Sequence, residues 1–401
     1  MKARKQKIAI IGTAGVPSRY GGFETLAHNL AQELNQEFDI HIYASTKLYK
    51  KEERVKYWNN CRIHYLPFSA NGVSSVIYDM ISIFHAIFYA KTLIILGVSG
   101  GLFIPIVRLF TRRKVIVNID GLEWRRDKWS KWAKKFLKFS ERMAVRFSHA
   151  DITDNLSIKR YTATYYKTCS HLIAYGADHC HKVTLSSEDY KNYPFLSGPY
   201  AFKVARIEPE NNIEMVLNAF RFDGKKKLVV VGNWQNSEYG QHLFEIYNIE
   251  RNIHLLDPIY DQIELDKLRS NAYVYIHGHS AGGTNPSLVE AMYLGLPVLA
   301  FDVSFNRDTT NNNSFFFKNE EELVELLNKL RLNDLLVSAN KLKDYANIHY
   351  NWHQIAQLYK SLILSFENGY QKHTTRELGK TNEKYAIKGY AHLNYVKPFY
   401  K

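Results

Sequence analysis

The chain has 401 residues, 46% of them hydrophobic, which is enough for two domains of about 200 residues, each with its own core. Lys and Arg number 53 against 39 Asp and Glu, a formal charge of +14, so the expected partners are anionic: phosphorylated small molecules, an acidic membrane surface or nucleic acid. Three scattered cysteines, Cys61, Cys169 and Cys180, exclude a disulfide framework and point to a reducing compartment.

Residues 1–5 are basic and 8–16 apolar, which imitates a secretory leader. Gly12, Gly15 and Pro17 interrupt the run, so a buried strand followed by a glycine loop explains it better. Strand patterns follow at 7–11, 39–43, 62–66, 93–96, 115–119, 150–153 and 171–174, with helical patterns between most of them, for example at 24–34, 74–90 and 128–147. Such alternation predicts a parallel sheet wrapped by helices. The loop after the first strand holds Gly12, Gly15, Arg19, Gly21 and Gly22. It has neither G-x-G-x-x-G spacing nor a P-loop lysine, yet two glycine sites around Arg19 exceed what a plain turn needs and predict a ligand loop. Residues 92–110 come nearest to a membrane span. Gly97, Gly100 and Gly101 divide them into a strand and a helix, each too short to cross.

From 125 to 146 the chain places Arg125, Arg126, Lys128, Lys131, Lys134, Lys135, Lys138, Arg142 and Arg146 against Asp127 and Glu141. Trp129, Trp132, Phe136, Phe139, Met143 and Phe147 recur at helical spacing. This basic amphipathic helix is expected to bury one side in the domain and to be drawn to an anionic bilayer on the other. His179-Cys180-His181 has no second ligand pair at suitable spacing, so a surface loop is expected and no metal ligand is assigned. Asp151 and Asp154 do not form a D-x-D pair.

The polar stretch 186–194, ending in proline, reads as the linker. Strands at 201–205, 227–231, 253–255, 273–276 and 298–300 then repeat the alternation. Arg206 ends the first of these, where a guanidinium suits a diphosphate, although Glu208 or Glu210 could simply pair with it. After the strand ending at 276, Gly282, Gly283, Thr284 and Asn285 precede a helix opened by Pro286. Glycine-rich backbone at a helix N-terminus predicts a phosphate nest, and Glu290, one turn on, is placed to reach a sugar hydroxyl. A last helix at 352–366 leads into a basic, tyrosine-rich tail at 368–401, either loosely ordered or a strap over another surface. The expected organisation is one domain at 1–190, a second at 198–350, a helix at 351–367 packing back on the first domain, and the tail; the resemblance that follows implies an acceptor-binding role for the first and a nucleotide-sugar-binding role for the second.

Three of these elements, in this order, resemble the family-4 retaining glycosyltransferases of the GT-B fold. Gly21-Gly22-Phe23-Glu24 matches that family's glycine-glycine loop, Arg206 its arginine after the first strand of the second domain, and Glu290 the second of its two glutamates. Gly282 stands where the first glutamate would be, and Asn211 where a lysine follows the arginine. The resemblance spans residues 7–366 and implies an α/β chain of two Rossmann-like domains facing across a cleft. Residues 12–25, 118–124, 209–212 and 283–286 are similar to a subgroup of rhamnosyltransferases that build bacterial capsule and cell-wall polysaccharides. That likeness implies a dTDP-L-rhamnose donor, a polyprenyl-diphosphate-linked sugar acceptor, retention of configuration and no metal or other cofactor. It also implies a cytoplasmic enzyme held at the anionic inner leaflet. Contacts to the donor are expected from Gly21, Gly22, Arg206, Asn211, Gly283, Thr284, Asn285, Ser287 and Glu290, and contacts to the acceptor or membrane from Arg19, Trp124, Arg125, Arg126 and Lys128. Asp120 stands where many relatives carry a histidine; it could bond the transferred sugar or steady charge at its anomeric carbon, or cap an Asp-Gly turn. Arg206 and Asp120 are the expected catalytic residues. A UDP- or GDP-sugar donor, or a GT-B sugar-nucleotide epimerase, would use the same framework. A nucleic-acid-binding protein is suggested by charge alone, with no recognition motif to support it.

Overall fold

The computed structural model describes residues 5–19, 21–119, 121–126 and 129–375. Its short apolar runs assemble into two sheets. The first holds β1 (Gln6–Ile11), β2 (Phe38–Ser45), β3 (Tyr57–Trp58), β4 (Cys61–Leu66), β5 (Thr92–Leu96), β6 (Lys114–Ile119), β7 (Ala150–Thr153) and β8 (His171–Leu172), in the order β3-β4-β2-β1-β5-β6-β7-β8. The second holds β9 (Tyr200–Val204), β10 (Lys227–Val231), β11 (Ile253–Leu256), β12 (Val274–His277), β13 (Val298–Phe301) and β14 (Phe315–Phe317), in the order β11-β10-β9-β12-β13-β14. All pairings are parallel except β3 with β4. Strand order reverses between β1 and β5 in the first sheet and between β9 and β12 in the second. Ligands gather at such switch points, beyond the strands' carboxyl ends.

Helices cover both faces of the first sheet because its strands alternate apolar residues to either side. Ile8, Ile10, Ile40, Ile42 and Ile94 pack with α1 (Gly22–Leu34), whose Leu26, Ala27, Leu30, Ala31 and Leu34 form one helical stripe. Ala9, Ile11, Tyr43, Leu93, Ile95, Val115 and Val117 face α2 (Ser74–Ala86), α3 (Ile104–Phe110) and α4 (Lys131–Phe147) on the other side. Each buried Leu or Ile contributes about 1.5–3 kcal/mol, so truncating one such as Leu30 would cost about 2–5 kcal/mol. Next come α5 (Leu156–Tyr166), α6 (Ser187–Asn192), α7 (Ile213–Asp223), α8 (Glu238–Tyr247) and α9 (Gln262–Ser270). They are followed by α10 (Pro286–Tyr293), α11 (Ser304–Thr309), α12 (Glu320–Lys329), α13 (Leu332–His349) and α14 (Trp352–Ser365).

The helix α14 returns to the first domain. It lies against α1, with His353 2.9 Å from Glu33 and Lys360 2.5 Å from Glu37, while the Asn118 side chain donates to the Tyr359 hydroxyl at 2.9 Å. Past it the chain straps onto the same domain: Thr374 bridges to Thr168, and Lys372 reaches the Asp151 carboxylate and the Ser148 hydroxyl. Residues 376–401, most of the expected tail, lie outside the described residues.

Local expectations are corrected at four places. The stretch read as a polar linker folds as α6, because Ser186 and Asp189 form a capping box. The loop 179–181 lies only partly at the surface, since Cys180 is fully buried while His181 is exposed. Two strands had escaped notice. The hairpin β3–β4 turns through Asn59 and Asn60, both at positive φ, which suits a two-residue turn. The edge strand β14 is three phenylalanines, too short for alternation to show. The division of residues 92–110 into β5 and α3 holds, and among the described residues no helix is long and apolar enough to cross a membrane.

Candidate functional site

The loop leaving β1 is braced from inside. Glu24, on the first turn of α1, is buried and accepts the Ala14 amide at 2.7 Å and the Thr13 hydroxyl at 3.4 Å. Burial pushes its carboxyl up, opposed by those hydrogen bonds and by the charge of Arg206 across the cleft. Gly21 stands at φ 117, and a Cβ there would lie 2.0 Å from Glu24 Oε2, so only glycine allows this packing. A Cβ on Gly22 would come 3.3 Å from the Pro286 ring of the second domain. The two glycine loops read from the sequence therefore meet across the cleft. Arg19 is turned away: it pairs with Glu53 at 2.8 Å, donates to the Leu48 carbonyl at 3.1 Å and lies over the Tyr49 ring.

At the second switch point, Arg206 follows β9 with its side chain about half exposed and its Nε 3.7 Å from Glu208. The turn beyond is rigid because the Asn211 side chain donates to the Arg206 carbonyl at 2.7 Å. Asn211 is thus a brace in this state, with its amide donor already engaged. Its own carbonyl accepts from Lys203 at 3.2 Å. Lys203 is a fully buried lysine of β9, and burial pushes its ammonium down to about 7. His277 and His279 stack 4.4 Å apart beside it, held neutral first by burial. A lysine in an otherwise apolar strand is the signal of this group that the sequence carries.

The loop at 282–285 differs from an open phosphate nest. The Thr284 amide donates at 3.0 Å to the carboxylate of Asp154, which follows β7 of the first domain, and the Thr284 hydroxyl donates to the Asp154 carbonyl at 2.7 Å. Asn155 adds donations to Thr284 at 3.3 Å and Thr309 at 3.1 Å. A Cβ on Gly283 would stand 2.2 Å from Asp154 Oδ1, and one on Gly121 would stand 2.3 Å from Gly282. Here the domains touch, and a carboxylate sits where a phosphate was expected. Asn285 caps α10 by accepting the Ser287 amide at 3.0 Å and hydroxyl at 2.7 Å, while Ser287 accepts from Tyr275 at 2.8 Å.

Glu290 is paired twice, with the buried Arg269 and with His179 at 3.4 Å. Burial would raise its carboxyl, but the Arg269 charge overrides this and holds it down at about 2. Arg269 also donates to Cys180 Sγ at 3.3 Å and to Asp266 at 2.7 Å. His179, Cys180 and Glu290 bring donor atoms within 4.8 Å of one another, close enough for a metal ion. Arg269 already supplies a permanent positive charge to two of the three, Glu290 and Cys180, and shares it with Asp266.

Of the residues assigned to acceptor or membrane, Trp124 lies under Arg125 at 5.2 Å and Lys138 at 4.6 Å, beside Tyr161. Arg126 instead turns into the cleft, 2.8 Å from Glu123 and 3.8 Å from Glu208. Asp120 and Lys128 lie outside the described residues.

Comparison with known proteins places this geometry. Residues 188–349 match the family described as glycosyl transferases group 1, and residues 5–178 match a domain of unknown function (DUF1972). Protein CapJ of Staphylococcus aureus is 27% identical over 143 residues, 35% of this chain, and the match spans only 36% of that relative's length. Sucrose-phosphate synthase from Thermosynechococcus elongatus superposes with a TM-score of 0.74 at 15% identity, over 91% of this chain and 100% of that one. Anabaena HepE in complex with UDP and glucose gives 0.68 at 14% identity, over 90% and 100%. A putative UDP-N-acetylglucosamine 2-epimerase from Listeria monocytogenes gives 0.59 at 15% identity, over 93% and 99%. Two Rossmann-like sheets with their switch points facing one cleft give this chain the GT-B fold, and its second domain, over residues 188–349, matches the glycosyl transferases group 1 family.

Proposed function

We propose that the chain transfers L-rhamnose from dTDP-L-rhamnose, with retention, to a sugar on a polyprenyl diphosphate at the anionic inner leaflet of the membrane. The observation that carries donor binding is the convergence of Gly22, Arg206 and the start of α10 on one cleft. In this reading Arg206 meets the diphosphate, Glu290 meets the ribose with its oxygen on the His179 side, and Asp120 acts on the transferred sugar. As the glycosidic bond breaks, the departing diphosphate takes the proton of the acceptor hydroxyl while Arg206 balances its charge. Fixed cations do this work, so no metal ion is required.

A membrane-bound acceptor is supported by the outward side of α2, α3 and α4. Ile77, Phe84, Leu109, Phe110, Trp132 and Phe139 are all exposed there, Phe110 and Trp132 by about 80%. Lys131, Lys135, Lys138, Arg142 and Arg146 are exposed among them, whereas the two acidic side chains of these helices, Asp79 and Glu141, are buried. Aromatic side chains mixed with cations, and no exposed carboxylate, suit an anionic bilayer; each lysine at such a surface adds about 1 kcal/mol.

A UDP-sugar donor is the competing reading, favoured by the UDP and UDP-glucose complexes of HepE. Thermal stabilisation by dTDP, UDP, GDP and ADP at matched concentration separates the two, because a ligand of the folded state raises its stability. Selective response to dTDP, followed by acceptor-dependent release of dTDP from dTDP-L-rhamnose, supports rhamnosyl transfer. Response to UDP alone changes the donor, and no response to any of the four refutes nucleotide-sugar binding. Sedimentation with vesicles containing phosphatidylglycerol, but not with phosphatidylcholine vesicles, is expected; equal binding to both or to neither refutes the membrane reading.

A further inference from the structure

The Glu208 carboxylate is in an unusual position. Its Oε2 lies 3.7 Å from Arg206 Nε and 3.8 Å from Arg126 Nη1, one arginine from each domain. That oxygen is buried and accepts no hydrogen bond. Both distances exceed hydrogen-bonding range, so the two guanidiniums surround the oxygen without gripping it. A buried, unbonded carboxylate oxygen costs free energy that a charge-assisted contact would recover. Arg126 is anchored at its other side by Glu123 at 2.8 Å, and its side chain is only 10% exposed. The turn carrying Arg206 and Glu208 is fixed by the Asn211 bond and by the Glu208 amide, which donates to the Arg206 carbonyl at 2.9 Å. The buried ammonium of Lys203 approaches the same turn from below.

We propose that Arg126 is a donor-positioning residue. It closes on the diphosphate from the acceptor domain, and the phosphate replaces the Glu208 carboxylate between Arg126 and Arg206. This rests on the nucleotide-sugar reading and deepens it. The cation absent at Asn211 is then supplied across the cleft, which ties donor binding to closure of the two domains. Glu208 is a built-in competitor that holds the place between the two arginines until a phosphate arrives. A guanidinium binds phosphate through two parallel N–H donors, a geometry that the single oxygen of Glu208 does not satisfy.

The test is calorimetric binding of dTDP, UDP, GDP and ADP, and of the matching monophosphates, to the full chain and to the variants R126Q and E208Q. Melting without ligand checks that each variant is folded. For whichever diphosphate binds the unaltered protein, R126Q should lower the diphosphate-to-monophosphate affinity ratio by about tenfold or more, the scale of one charge-assisted hydrogen bond. E208Q should move affinity the other way, tightening the diphosphate by several-fold. An unchanged ratio in R126Q, or weaker diphosphate binding in E208Q, overturns the proposal while leaving the donor reading intact. Failure of the unaltered protein to bind any of the four diphosphates overturns both. Should R126Q not fold, the sign of the E208Q effect decides alone.

Discussion

Replacing Lys203 by Met is expected to stabilise the protein, and to do so in a pH-dependent way. The side chains are close in length and volume, so the swap removes a buried charge and one hydrogen bond with little repacking. Burial lowers the folded ammonium from 10.5 to about 7. Between those values the unfolded chain holds a proton that the folded chain has lost, so stability rises with pH at about 1.4 kcal/mol per pH unit. The full penalty of about 5 kcal/mol therefore applies below pH 7 and vanishes as pH approaches 10.5. Losing the bond to the Asn211 carbonyl gives back about 1 kcal/mol. Lys203→Met should then gain about 3–4 kcal/mol at pH 6 and about 1 kcal/mol at pH 9. Urea unfolding of both proteins at pH 6, 7.5 and 9 reads this directly, since other titrating groups cancel in the difference. A variant no more stable at pH 6, or an advantage that does not change with pH, refutes the reasoning. A lysine kept in a strand at such cost is consistent with a role for its charge beneath the Arg206 turn.

Gly283→Ala should destabilise the chain by about 1–3 kcal/mol, because its Cβ would stand 2.2 Å from Asp154 Oδ1; an unchanged urea midpoint would show that the domains do not meet there. Glu290→Ala leaves Arg269 buried with Asp266 as its remaining carboxylate partner and should cost about 3–5 kcal/mol while weakening nucleotide binding, both read by melting with and without the nucleotide. Glu290 held at about 2 contributes stability that is complete above about pH 4.5 and lost as pH falls toward 2, so Glu290→Gln should flatten the acid limb of the stability curve. Asp120→Asn should slow transfer more than it weakens donor binding; equal kinetics for the two proteins would remove Asp120 from the site. Chelation with EDTA should leave the transfer rate unchanged, and a lost rate restored by magnesium would overturn the metal-free reading.

The two-sheet architecture could be read from the chain because it is written in local pattern. Short buried runs such as Gln6–Ile11 and Lys227–Val231 alternate with amphipathic helices, and parallel strands joined by crossover helices admit few topologies. Glycines at the switch points were likewise visible, since Gly21 and Gly282 serve backbone geometries that other residues resist. What each polar side chain does was decided only in three dimensions. Asp154 and Thr284 are 130 residues apart in the chain, and nothing local in either announces that one fills the amide of the other. Arg126 looked like part of a basic surface helix, yet it lies before the helix starts and turns toward Glu208 of the other domain. Asn211 and Ser287, expected as ligand contacts, also brace their own turns, because a hydrogen bond is local in space and the sequence records only order along the chain. Periodicity thus determined the layers of this protein, while the charges in its cleft were assigned by domain closure, which brings together groups no spacing rule connects.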